Sequence, residues 1–107
     1  MTVSYSDFAK LDLRVGTIKQ VRPVQGADKL YELTVNLGTE TRTLVAGIRK
    51  WYEITDLVEQ QVVVIANLEP KVIKGIRSHG MLLAAQDETT VAFLKPVRKV
   101  REGSKVL

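Results

Sequence analysis

Apolar and polar residues alternate most clearly in LYELTVNL (30–37). Leu30, Glu32, Thr34 and Asn36 fall on one side; Tyr31, Leu33, Val35 and Leu37 fall on the other. Successive side chains of a strand point to opposite faces, so this pattern predicts a half-buried strand. Gly38-Thr39-Glu40 supplies a hairpin turn into TRTLVAGI (41–48), a second strand. Upstream, LDLRVGTIKQVRPV (11–24) reads as one long strand, with Gly16 marking a bend or bulge, and PVQGAD (23–28) is loop chemistry. SDFAKL (6–11) predicts a short helical turn capped by Ser6.

The alternation breaks in RKWYEITDLVEQ (49–60), where Asp56 is placed to cap a short turn of helix through Leu57 and Val58. A strand over 61–67, containing the continuous apolar run VVVIA, follows. Next come a basic loop (68–78), a strand over 79–85 and the turn Gln86-Asp87-Glu88 into VAFL (91–94). Short, evenly spaced strands with glycine at corners predict a closed or nearly closed barrel. The expected fold is all-β: an OB-fold five-stranded barrel with a short helix before strand 4 and extra terminal segments. No internal repeat or linker divides the chain, so residues 1–107 are expected to form a single domain.

Composition narrows the function classes. The net charge is +4 and the pI about 9.5, a mild bias that suits either solubility or an acidic partner. There are no cysteines, which removes disulfides, thiolate chemistry and Cys-ligated zinc. The N-terminus MTVSYSDFAK lacks a signal-peptide pattern, and no apolar stretch approaches the roughly 20 residues of a membrane span. A soluble, cytoplasmic protein without membrane contact is expected.

Catalytic constellations are missing. His79 is the one histidine, so there is no second imidazole for a base or a metal pair. Ser78 adjoins His79, but neighbours on a strand face opposite ways and cannot form a relay. Asp12 and Asp28 belong to no recognisable acid–base spacing, and neither a GxxxxGK[ST] nor a GxGxxG phosphate loop occurs. A binding module with no cofactor and no metal is expected.

Cations cluster at Arg49-Lys50, in the loop at Lys71, Lys74 and Arg77, and in the tail at Lys95, Arg98, Lys99, Arg101 and Lys105. In the tail, a solvated face explains them as well as a ligand does. In the loop they stand three apart, beside Gly75, where a ligand backbone can approach closely. Facing phosphates, each cation releases counterions and makes affinity steeply salt-dependent. Trp51-Tyr52 could stack on an unpaired base, but packing of a lone Trp is the better reading. Met81 at the rim of this loop is either core or an apolar contact to a ribose or base.

NLEPKVIKGIRSHGMLLAA (67–85), with FAKLDLRVGTI (8–18), GADKLYELTVNLG (26–38), TRTLVAGIRKWY (41–52), VVVIANLEP (62–70) and EGSKV (102–106), resembles the tRNA-binding domain family. That family includes free-standing structure-specific tRNA-binding proteins, the C-terminal domain of many methionyl-tRNA synthetases, the endothelial-monocyte-activating-polypeptide domain and a secretion-related chaperone-like branch. The resemblance implies an OB-fold that binds tRNA by shape, with tRNA as partner. Carried over by position, the candidate tRNA-binding residues are Arg14 in LRVG, Lys29 in ADKL, Asn67, Lys71 and Lys74 in the loop, and Ser78 and Met81 in S-x-G-M; Leu30 and Gly80 match as scaffold. Arg77 joins them through its charge.

The chain departs from the family pattern at Val72, where relatives often carry a lysine, at Arg77, where an acidic or small residue is usual, and at Val24, which replaces a histidine before ADKL. The resemblance further implies a homodimer formed through the terminal segments, and a role as a methionyl-tRNA synthetase beta-subunit-like accessory acting in trans. The alternatives are a chaperone-like peptide binder of the same family or a general single-strand binder.

Overall fold

The computed structural model describes all 107 residues. Its helices are α1 (Tyr5–Phe8) and α2 (Ile54–Leu57). Its strands are β1 (Leu13–Pro23), β2 (Tyr31–Asn36), β3 (Thr41–Ala46), β4 (Gln61–Ile65), β5 (Lys71–Ile73), β6 (Ile76–Ser78), β7 (Met81–Leu82), β8 (Ala84–Gln86) and β9 (Val91–Phe93). Five strands form one antiparallel sheet in the order β3-β2-β1-β4-β7, while β5–β6 and β8–β9 are separate two-stranded hairpins. The free edge of β3 returns to the chain ahead of β7, where the His79 N–H donates to the Thr43 carbonyl at 2.9 Å. The sheet thereby curls into a nearly closed, OB-like all-β barrel. No helix is long and apolar enough to cross a membrane.

The alternation over 30–37 holds: β2 buries Tyr31, Leu33 and Val35 and leaves Glu32, Thr34 and Asn36 half-buried, with Leu37 buried just beyond. These residues join Ile18, Leu44, Leu57, Val62 and Val64 in one core cluster of 13. All five residues of β4 are buried, which explains the unbroken apolar run. β4 is flanked by β1 and β7, and the C-terminal segment is tied to it by Val63 N to Leu94 O at 3.0 Å.

That segment also seals an edge. β2 pairs with β1 only from Thr17 onward, leaving the first residues of β1 open on that side. The tail fills the gap: Val106 N donates to Leu13 O, Gly103 N to Val15 O and Val15 N to Ser104 O, at 2.9, 2.7 and 2.8 Å. A covered edge cannot template pairing with another chain.

Several local expectations shift. The cap of α1 is Ser4, not Ser6; Ser4 Oγ accepts from the Asp7 N–H at 3.2 Å. The cap of α2 is Glu53, and Asp56 acts from three positions inside, accepting the Glu53 N–H at 2.8 Å. The bulge in β1 falls at Lys19, between the paired Ile18 and Gln20, and not at Gly16. Gly16 is required for space: a Cβ there would lie 2.5 Å from Val35 Cγ1 and 2.8 Å from Leu37 Cδ2. The basic loop 68–78 is a hairpin over most of its length, and the strand expected over 79–85 divides into β7 and β8.

Candidate functional site

The β5–β6 hairpin projects from the β3 edge of the barrel. Its register pairs Lys71 with Ser78, Val72 with Arg77 and Ile73 with Ile76, so Lys74-Gly75 forms a two-residue turn. Both turn residues have positive φ, 51° at Lys74 and 81° at Gly75. Such tight turns favour Asn-Gly because a side chain at positive φ is strained. A lysine held there at the tip stands clear of the barrel.

Opposed residues of an antiparallel pair share a face. Val72, 68% exposed, and Arg77 therefore form one outward face. Ile73, Ile76 and Ser78 form the inward one, where they are partly or fully buried, with exposed Lys71 at its edge. The structure contains four ion pairs, Lys10–Asp7, Arg14–Asp12, Lys19–Glu59 and Arg42–Glu40. Lys71, Lys74 and Arg77 take part in none of them and are exposed.

Ser78 is the joint between hairpin and barrel. It is buried, and its Oγ accepts the Val45 N–H at 3.0 Å. Behind it, the Arg42 guanidinium donates to the Ala66 carbonyl at 2.7 Å and to the His79 carbonyl at 3.3 Å, while pairing with Glu40. Arg42 thus fastens both ends of the β4–β7 connection, a role its sequence context gave no sign of. His79 is half-buried. Loss of water and then the charges of Arg42 and Arg77 hold its imidazole below its ordinary value of 6.5.

Asn67 clamps the base of the same connection. Its Oδ1 accepts the Asp12 N–H at 2.8 Å, and its Nδ2 donates to the Lys10 carbonyl at 2.7 Å. Arg14 lies beside it, with Nε donating to both Asp12 oxygens at 2.9 and 3.1 Å. That carboxylate holds the Arg14 pKa above its ordinary value. Arg14 and Asn67 therefore form one polar cluster, and both have their functional groups engaged within the fold.

Met81, 44% exposed, lines an apolar groove of about 370 Å³ with Val45, Ile48, Trp51, Leu82 and Val91. Lys50 Nζ lies 5.8 Å from the ring centroid of Trp51, one of the residues that line this groove. Lys29 adjoins the same loop: the Arg49 N–H donates to its carbonyl at 3.2 Å. Lys29, Lys50, Trp51, Met81, Val45, Ser78 and the hairpin are thus linked around the outside of β3. The packing reading of Trp51-Tyr52 agrees with the geometry. Trp51 Nε1 donates to Thr89 O at 3.1 Å, Tyr52 Oη accepts from the Phe93 N–H at 3.3 Å, and the Tyr52 and Phe93 rings are 5.1 Å apart.

This arrangement offers unpaired cations on a preformed arm next to an apolar groove, which suits a polyanion carrying planar groups. A family model described as "Putative tRNA binding domain" matches residues 13–105. The methionine–tRNA ligase of Pyrococcus abyssi is 56% identical over 106 residues, covering 99% of this chain but 15% of that protein. The chain spans between 13% and 16% of the length of the curated relatives it matches. Among solved structures, a MetRS-related protein from Pyrococcus horikoshii superposes with a TM-score of 0.94 at 30% identity, covering 100% of this chain and 99% of the other. The chaperone CsaA of Bacillus anthracis superposes with a TM-score of 0.92 at 28% identity, covering 100% of both chains.

Proposed function

This chain belongs to the tRNA-binding domain family, and from that premise we propose that its 107 residues act as one non-catalytic module that grips folded tRNA through the β5–β6 hairpin. The carrying observation is that Lys71, Lys74 and Arg77 are exposed and absent from every ion pair of the structure. Exposed cations without internal partners are free to displace the counterions of a phosphate backbone. Phosphate contacts of this kind fix position without reading bases, which supports recognition by shape.

The residues divide by role. Lys71, Lys74 and Arg77 contact phosphates; Lys29 and Lys50 extend the basic band; Met81 gives apolar contact to a ribose or base. Ser78 and Asn67 act by holding the hairpin and its base in place, and Arg14 supports Asn67 through Asp12. The similarity to methionine–tRNA ligases supports a cytoplasmic accessory to aminoacylation, working beside a methionyl-tRNA synthetase. The exposed apolar residues of the termini, Val3, Tyr5, Phe8 and Leu107, support a homodimer formed through those segments.

Replacing Lys71, Lys74 and Arg77 together by alanine tests this reading. The magnitude of the salt slope for folded tRNA is expected to fall by roughly 2 to 3, with the fold unchanged by circular dichroism. An unchanged slope would contradict it. A second reading, peptide binding in the manner of a chaperone, draws support from the likeness to CsaA and from the apolar groove at Met81. Salt-insensitive suppression of aggregation of an unfolded client, lost in Met81→Asp, would favour it.

A further inference from the structure

A cleft of about 510 Å³ lies away from the hairpin. It lies between β1, the start of β4 and the C-terminal tail. Four cations line it, Lys19, Lys95, Lys99 and Arg101, against two carboxylates, Glu59 and Glu102. Lys19 and Glu59 pair with each other at 3.2 Å. Lys95, Lys99 and Arg101 have no carboxylate partner.

The tail that carries these cations is fastened rather than loose. Gln61 is buried and grips Val100 at both backbone groups: Nε2 donates to the Val100 carbonyl at 2.7 Å, and Oε1 accepts the Val100 N–H at 3.1 Å. Its neighbour Gln60 accepts from Lys95 Nζ at 3.2 Å. Holding Val100 by its backbone places Lys99 and Arg101 on either side of the anchor. A cationic strap fixed in this way binds with little further ordering cost, the usual gain of preorganisation.

We propose that this cleft is a second phosphate-binding surface, taking a stretch of RNA backbone distinct from the one held by the β5–β6 hairpin. The inference rests on the tRNA-binding reading above. Two separated phosphate contacts on one rigid barrel select for an RNA whose backbone reaches both. A compact fold already presents two backbone segments at a set spacing, whereas a flexible single strand must be ordered to reach both, at a cost in entropy.

Salt-series binding of folded tRNA to the variant K99Q/R101Q tests the proposal. Both residues are exposed, and circular dichroism confirms the fold. A control variant of equal charge, K10Q/R22Q, removes exposed cations that lie outside the tail and do not line the cleft. The expected result is a fall in slope of roughly 1.4 to 1.8 for K99Q/R101Q and a much smaller change for the control. An unchanged slope in K99Q/R101Q, or equal falls in both variants, would overturn the second surface and leave the hairpin reading intact. Failure of the unmodified protein to bind folded tRNA would overturn both.

Discussion

Val72 and Arg77 face each other across the β5–β6 hairpin as a directly opposed pair. The sequence resemblance to the family implies a lysine at the first of these positions and no cation at the second. The arrangement here moves the charge to the opposing strand while keeping it on the same outward face. Opposed side chains lie about 5 Å apart at Cβ, so the proposed phosphate contact keeps nearly the same place on the hairpin. Val72→Lys should then add a cation beside an existing one. Its salt slope for tRNA is expected to rise by roughly 0.7 to 0.9, and Arg77→Ala to lower it by a similar amount. Fluorescence titrations at three salt concentrations measure both.

Lys74 combines exposure with an uncomfortable backbone, φ 51°. Asparagine tolerates that region better. Lys74→Asn is expected to raise stability by up to about 1 kcal/mol and to lower the salt slope by roughly one, weakening all tRNAs about equally. Urea unfolding and tRNA titration on the same sample would show the two effects moving in opposite directions. A change in discrimination among tRNAs with no change in slope would contradict the phosphate role.

Ser78 supports the hairpin from within. Ser78→Ala leaves the Val45 N–H without its partner, which is expected to cost roughly 1 to 3 kcal/mol. Weaker tRNA binding should accompany it with the salt slope nearly unchanged, because no cation is lost. Ser78→Thr keeps the hydroxyl and should recover part of the stability, as thermal unfolding will show.

His79 gives the fold a weak acid sensitivity. Its imidazole titrates below its ordinary 6.5 in the folded state, so the unfolded chain takes up the proton more readily. The contribution is complete above pH 6.5 and is lost as pH falls through that value toward the folded pKa. Thermal midpoints measured between pH 7.5 and 5 should decline in the unmodified protein. The decline should be shallower in His79→Asn.

Much of the barrel is legible in the chain because strand alternation is a direct imprint of burial. Tyr31, Leu33, Val35 and Leu37 announce their face two residues at a time. Features set by distant partners are harder to read. The β5–β6 hairpin is hidden because Lys74-Gly75 lacks the Asn-Gly signature of its turn, and Pro70 precedes it as loops do. Gly16 invites a bulge, yet its value lies in the space that Val35 and Leu37 require, while the irregularity falls at Lys19.

Polar residues of the site show the same limit. Ser78 and Asn67 look like a ligand-facing rim in sequence, since nothing local uses their side chains. Only the fold brings the Val45 N–H, the Asp12 N–H and the Lys10 carbonyl to them. Charge is more transparent. Lys71, Lys74 and Arg77 stand out by number and spacing, and the fold leaves them exposed.

The most direct test of the central claim is binding of the unmodified protein to folded tRNA across a salt series, beside a single-stranded RNA of equal length. The account predicts steep salt dependence and clearly tighter binding of the folded tRNA. Equal affinity for both RNAs would contradict recognition by shape, and binding to neither would contradict the RNA reading altogether.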